Sequence, residues 1–538
     1  MRKYTIVLPL IIVVILSLGT FWGSWNIYFQ QDEWNGFGNV LYAERYGYIT
    51  LIRLYGSHLT PLTSLFFALL FRIFSFTHTY YGIYSIFLHS FNGFLVYLFT
   101  SELLNNRRIA LLSSIIFITA LVSQQTVTWH AASASFLPSA FFTLLSLFIF
   151  ERYLKKSSIK LLYLSFLFAC ISLGFRENSI ILFPYFIIRS WLFSSTSILR
   201  ISIYSSVTCL FYMFLRFFPV FFIANTLPST KPIVSIQELF FHISQLLTTS
   251  LPQMLIPKTY AIRFAYWMYS HISPFIELIY PINNKAVFIE TTLTRGIYVC
   301  LFIFICITFI FFMKRNKSKV NHSAAILALC VFLLLSILPF SLLPRKLPME
   351  SRHFYIPTIA FSILISTIFS LTIKGYSGFK KWILISIVIL YVLLNINSIK
   401  LVIQKATLLS DTRVIFIHQI TSTYPTLPKQ TIFFSEGDIL PFQSGFGHLL
   451  TIIFNKQQSY HSFFKNNFLW NLKSQGYAEI DTVGFGYYHQ FPLLIKEYCM
   501  HNLKPENVFA FSWDSKQKIL TDTTSSIRTT LTCTFQAQ

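Results

Sequence analysis

Long apolar blocks recur along the chain, separated by short clusters of Lys and Arg. A block of about 18 or more apolar residues can cross a hydrocarbon core of roughly 30 Å as a helix. Helices suit that setting because they satisfy their own backbone hydrogen bonds, which lipid cannot do. The blocks predict spans at Thr5–Trp25, Gly82–Thr100, Ile109–Ser123, Phe136–Phe150, Leu161–Phe175, Ile180–Phe193, Ile201–Phe222, Gly296–Met313, Ala324–Leu343, Tyr355–Ile373 and Trp382–Ile399. That makes about eleven transmembrane helices. Pro61–Phe76 is shorter, carries Arg72 and follows His58-Leu59-Thr60. It reads as an interfacial or re-entrant helix.

Basic clusters orient these spans, since cytoplasmic loops collect Lys and Arg. Arg2-Lys3, Arg107-Arg108, Glu151 to Lys156, Lys314 to Lys319, and Lys374 with Lys380 and Lys381 all belong inside on this rule. Arg2 and Lys3 also make the first span an uncleaved signal-anchor with a cytoplasmic N-terminus. Asp32 and Glu33 then fall outside. The long stretch from Ile223 to Arg295 is outside as well. Within it Ile236, Leu239, Phe240, Ile243, Leu246, Leu247 and Leu251 recur at helical spacing. They predict an amphipathic helix on the outer leaflet, ended by Pro252 and Pro257.

From Lys400 the pattern changes, with more polar residues, Gly and Pro. Thr431–Ser435 and Val508–Trp513 read as short strands, and Ala510–Thr521 as a hairpin. Leu401–Ile420 and Gly447–Phe454 read as helical. The expected fold class is an all-α polytopic membrane domain, residues 1–399, with a small extracytoplasmic α/β domain, residues 400–538.

Composition sharpens this picture in three ways. The 60 Phe and 29 Tyr among 538 residues suit lipid-facing and interfacial surfaces. Lys plus Arg number 42 against 19 acids, a net charge of +23. Because the cations cluster in loops between spans, this is a topology signal and not the footprint of a nucleic-acid partner; some of it meets anionic lipid. Five of the seven Cys lie in apolar segments and read as small hydrophobes. Cys499 and Cys533 share the polar C-terminal part, as a disulfide or as two free thiols. No zinc-ligand spacing occurs.

With acids this scarce, the adjacent pair Asp32-Glu33 at the outer end of the first span is a candidate site. The same topology brings His58, His130, Arg176, Glu177, Glu350, Arg352 and His353 to the outer face. Transfer of a sugar to a hydroxyl needs a carboxylate to take a proton and cations to stabilise a leaving phosphate. Asp32 or Glu33 suits the first task. Arg352 and Arg176, helped by His353, suit the second, because guanidinium is permanently charged and forks onto phosphate oxygens. His58, His130 and Glu177 are candidate substrate contacts. Each also has a structural reading. Arg176-Glu177 is equally an ion pair at a helix end, His58 and His130 are more often hydrogen-bonded interface residues than catalysts, and Trp129 is most simply an interfacial belt residue. His89 and Asn92 read as ties between helices. A transporter or lipid flippase is the rival class. It requires ionisable residues near the bilayer midplane, where only Arg216 stands out.

These residues also resemble a family. Asp32-Glu33 looks like the acidic first-loop motif of the GT-C superfamily of polyprenyl-phosphate-sugar-dependent glycosyltransferases, the protein O-mannosyltransferases in particular. Leu88 to Tyr97, Thr126 to Ala132, Phe175 to Asn178 and Glu350 to Pro357 are similar to later motifs of that group. Glu350 sits one position early, Ser133 stands where an Arg is common, and Arg176 replaces a common Lys. The resemblance implies an integral-membrane, inverting hexosyltransferase. Its donor is a polyprenyl-phosphate sugar, its acceptor a protein or glycan, and Asp32 is the base. It allows a divalent cation, which some relatives use and others do not.

Overall fold

The computed structural model describes residues 4–30, 32–52, 59–193, 195, 197–222, 236–279, 284–315, 320–342, 350–374, 376–428, 431–438, 441–442, 449, 452–453, 472–473, 477–478, 486–488, 490–500 and 502–532. His58, Cys533 and most of Gly447–Phe454 lie outside them.

The helices are α1 (Tyr4–Thr20), α2 (Asp32–Tyr46), α3 (Pro61–Phe74), α4 (His78–Leu104), α5 (Arg107–Ile118), α6 (Gln125–Thr128), α7 (His130–Lys156), α8 (Ile159–Phe175), α9 (Leu182–Leu192), α10 (Ile198–Phe222), α11 (Ile236–Leu255), α12 (Lys258–Ile279), α13 (Lys285–Val287), α14 (Thr294–Arg315), α15 (Val320–Ile337), α16 (Tyr355–Lys374) and α17 (Gly378–Thr423). Among the described residues seven helices are long and apolar enough to cross a membrane, or eight if one bent pair counts as a span. The expected spans at Thr5–Trp25 and Leu161–Phe175 are shorter apolar helices, Val7–Thr20 and Ile159–Phe175. Ile180–Phe193 is a 3-10 turn, Glu177–Ile181, followed by α9. The 14 residues of α3 reach about 21 Å, less than a hydrocarbon core.

At the centre stands α7, packed on α4 and α8 and 72% buried across its apolar window. Small polar residues let its neighbours approach. Ser139 and Thr143 of α7 hydrogen-bond with Ser172 of α8 at 3.2 and 2.8 Å, and Ser146 donates to Ser165 O at 2.8 Å. Gly82 does the same on α4, because a Cβ there would overlap the Trp25 backbone. By contrast α10 and α17 lie at the rim, and their exposed Leu210, Phe214, Ile387 and Leu390 face outward as lipid contacts do.

Three expectations are corrected. The span at Ile109–Ser123 is not straight: α5 ends at Ile118 and the chain bends by 54° into the segment Leu121–Thr128. Broken backbone at this depth needs partners within the protein. Leu121 N donates to Asn395 Oδ1 at 3.0 Å and Val122 O accepts from Ser351 Oγ at 2.7 Å. Second, Pro252 lies inside α11 rather than ending it. Third, the composition change at Lys400 marks no break. Helix α17 runs for 46 residues, about 69 Å, with no Pro or Gly after its first residue. Its first half is uncharged from Trp382 to Ile399 and long enough to span; its second half continues beyond.

That second half carries the C-terminal sheet. Strands β1 (Ile432–Gly437), β2 (Leu472–Lys473), β3 (Tyr477–Ala478), β4 (Gly486–Tyr488), β5 (Val508–Asp514) and β6 (Ile519–Asp522) form a four-stranded sheet of order β4-β1-β5-β6 and a separate β2–β3 pair. Strand β1 is parallel to β4 and β5, while β5 and β6 form the expected hairpin. Among the described residues two helices, α18 (Phe491–Met500) and α19 (Thr524–Thr530), pack beside it. Cys499 in α18 is disulfide-bonded. Phe416 of α17 packs against Trp513 and Phe511, and one apolar cluster joins these residues to Phe29, Trp34 and Phe37 near the start of α2. Tyr28 N donates to Ser410 Oγ of α17 at 2.8 Å, so the loop after α1 is braced from the C-terminal side.

Candidate functional site at one end of the helix bundle

The acidic pair opens α2, where successive side chains diverge by about 100°. Glu33 is completely buried and Asp32 is exposed. Glu33 Oε2 accepts from Gln30 N and its Oε1 from Ala131 N, both at 3.1 Å. Ala131 lies in the first turn of α7, where amides have no intrahelical acceptor and carry the positive end of the helix dipole. Glu33 therefore pins the Asp32 turn to the central helix. His130 completes the clamp. Its Nε2–H donates to Ile27 O at 2.9 Å, and the ring sits between Phe29 and Tyr81.

Two arginines reach the same turns of α7 from other loops. Arg176 caps α8 in extended backbone, and its guanidinium carbon lies 4.0 Å over the Phe136 ring. Arg352 lies 4.5 Å over the Trp129 ring and pairs with Glu350 at 2.6 Å. His353 packs its ring on Phe136 and Phe340. The Arg176 guanidinium makes no ion pair or hydrogen bond among the described residues. Burial pushes its pKa down to about 10, the charge of Arg352 acts in the same direction, and Glu177 acts against both. Two neighbouring cations on aromatic faces, one lacking an acid, form a place for an anion. Two further polar atoms there are buried without a partner among the described residues: Trp129 Nε1 and His130 Nδ1. Orphaned groups of that kind call for a ligand or a water.

Glu177 does not pair with Arg176, which corrects the local ion-pair reading. Its Oε1 accepts from Leu59 N at 2.6 Å and faces Arg216 Nε of α10 at 3.2 Å. It thus straps the far end of the first loop to the bundle, and the intramembrane Arg216 is neutralised there. Trp129 is also corrected: it is 4% exposed, a platform for Arg352 instead of a belt residue.

Behind the site lies a buried knot. His89 Nε2–H donates to Ile118 O at 3.2 Å, so Nδ1 accepts from Tyr355 OH at 2.7 Å. Asn92 Nδ2 lies 3.2 Å from the same hydroxyl and donates to Leu137 O at 3.0 Å. The knot joins α4, α5, α7 and α16, and it fixes where α16 presents Arg352. The loop before α7 grips the same motif: Arg352 N donates to Gln125 Oε1 at 3.3 Å. The sequence reading assigned no role to Tyr355 or Phe136. The seven-residue spacing of Trp129 and Phe136, one helical face, is the signal that could have found the aromatic platforms. Among the described residues no three His, Cys, Asp or Glu side chains gather as a metal site.

No family model matches the chain, and no curated protein matches it. Among solved structures it is similar to the oligosaccharyltransferase of Archaeoglobus fulgidus, crystallised with zinc and sulfate. The TM-score is 0.46 and the identity 12%, over 94% of this chain and 67% of that one. It is also similar to the archaeal oligosaccharyltransferase AglB from A. fulgidus in complex with an inhibitory peptide and a dolichol-phosphate. There the TM-score is 0.47 and the identity 10%, over 95% and 69% of the two chains. At that distance no residue-level correspondence carries over.

Proposed function

We propose that this chain is an integral-membrane, inverting glycosyltransferase. It moves a hexose from a polyprenyl-phosphate donor to a hydroxyl on a protein or glycan at the non-cytoplasmic face. The observation that carries this reading is the convergence on the first two turns of α7. Glu33 is held on the Ala131 amide, Arg352 lies over Trp129 and Arg176 over Phe136. A proton acceptor and a two-cation phosphate seat thus share one framework.

The acceptor hydroxyl attacks the anomeric carbon as its proton passes to Asp32, which is exposed where Glu33 is not. The bond from that carbon to the donor phosphate breaks, and the phosphate leaves onto Arg176 and Arg352. A single displacement of this kind inverts the anomeric configuration. Glu33 positions Asp32, and His353 helps seat the phosphate. The polyprenyl tail lies along the apolar helix faces. The rival, a transporter or flippase, requires ionisable residues near the bilayer midplane, where Arg216 of α10 pairs with Glu177.

The test is Asp32→Asn in membranes supplied with a labelled lipid-linked sugar. General-base loss lowers transfer by about 10²–10⁴-fold with donor binding unchanged. Transfer at the native rate overturns the assignment.

A further inference from the structure

At the end of the bundle opposite Asp32, a cleft of about 1000 Å³ opens where α4, α5, α7, α16 and α17 meet. The 27 residues of α7 set this end about 39 Å from His130. Four cations line the cleft, Arg107, Arg108, Lys155 and Lys381, against one carboxylate, Glu102. Glu102 is already engaged. It takes Lys155 Nζ at 2.9 Å and Arg152 Nε at 3.6 Å. The side chains of Arg107, Arg108 and Lys381 have no ion pair or hydrogen-bond acceptor among the described residues. Asn106 caps α5 by accepting from Arg108 N and Ile109 N, which fixes both arginines at the helix start. The α16–α17 side carries an apolar strip, Phe369 and Ile373 of α16 and Ile385 of α17, beside Ser370 and Tyr376, and Ile383 and Ile387 of α17 are exposed.

Topology alone explains basic residues at a cytoplasmic end, but it does not explain their convergence on one cavity with an apolar side wall. We propose that this cleft is a binding site for a phosphate diester, and that its occupant is an anionic phospholipid of the cytoplasmic leaflet. The phosphate sits among Arg107, Arg108 and Lys381, and one acyl chain runs along the α16–α17 face. A soluble phosphate compound shares the headgroup chemistry but has no use for the apolar wall. The site is separate from the arginines proposed for sugar transfer and does not depend on that reading.

The full chain is purified in a neutral detergent and titrated with phosphatidylglycerol or phosphatidylcholine, with bound lipid counted by native mass spectrometry. The native protein is expected to retain phosphatidylglycerol at least tenfold more tightly than phosphatidylcholine. The R107Q/R108Q/K381Q variant is expected to lose that preference. The K156Q/K160Q/R200Q variant removes equal charge from exposed positions outside the cleft and is expected to keep it. Because the three cleft cations make no internal bonds, K381Q alone is a milder check, with a drop of several-fold. Equal loss in both triple variants, or no loss in K381Q and the cleft triple, overturns the site. Displacement of the lipid by millimolar inorganic phosphate overturns the lipid as its occupant.

Discussion

Two arginines, one towards each end of the bundle, are held in opposite ways. Near the basic end, Arg189 of α9 and Glu151 of α7 close on each other through two bonds of 2.7 Å, with side chains 5% and 1% exposed. At the other end Arg352 pairs with Glu350 at 2.6 Å, but Arg176 rests on the Phe136 ring with no ion pair among the described residues, and Glu33 is held by backbone amides. A closed bidentate pair is structural, since a ligand could enter only by breaking it. Cations seated on aromatic faces keep their hydrogen-bond capacity for something else.

That contrast can be broken first at the closed pair. Glu151→Ala strands a buried guanidinium and is expected to cost about 3–5 kcal/mol of stability, read as a lower unfolding midpoint in detergent. Sugar transfer per folded molecule stays near native. Arg176→Gln should do the reverse. It removes a cation that burial disfavours, so the unfolding midpoint holds or rises, while transfer from a lipid-linked donor falls about 10²-fold. A large loss of stability in Arg176→Gln would erase the distinction between the two arginines. Trp129→Leu sharpens it further by removing the seat and leaving the charge of Arg352. A cation–π contact of about 0.5–2 kcal/mol predicts a rise in donor KM of roughly 2–30-fold, with kcat changed less.

The smallest effect lies in the C-terminal sheet. Burial alone would raise the Asp522 carboxyl, but Thr524, Tyr424 and Arg528 outweigh it and hold the pKa below the usual carboxylate value. Thr524 N donates to Asp522 Oδ1 at 2.9 Å. A depressed carboxylate pKa contributes stability above its unfolded value, near 3.9, and loses it as pH falls through the folded value. The protection factor of the Thr524 amide against hydrogen exchange should therefore fall below about pH 4. Asp522→Asn should flatten that dependence.

Much of the plan was legible in the chain. Blocks of apolar residues mark helices wherever a charge would be expensive, and the aromatic-rich runs at Ile432–Gly437 and Val508–Asp514 mark strands, the first buried on both faces over Ile432–Ser435. His89 and Asn92 were readable as ties because polar groups inside a span need partners. What stayed hidden depends on rotation about each helix axis. Hydropathy gives a residue's height in the membrane, not the neighbour it faces. Trp129 therefore looked like a surface aromatic, Glu177 looked like a partner for Arg176, and Asn395 gave no sign that it would hold the bend at Leu121.

By itself the sequence determined where the long apolar helices lie and which loops hold the clusters of cations, because crossing lipid demands long apolar stretches. Only the tertiary structure decided which of those residues meet. Helices of similar apolarity can rotate and slide against one another at little cost in hydrophobic energy. Their register is set by a few specific contacts: the serine ladder of α7 and α8, the Tyr355 knot, and the carboxylate of Glu33 on the Ala131 amide.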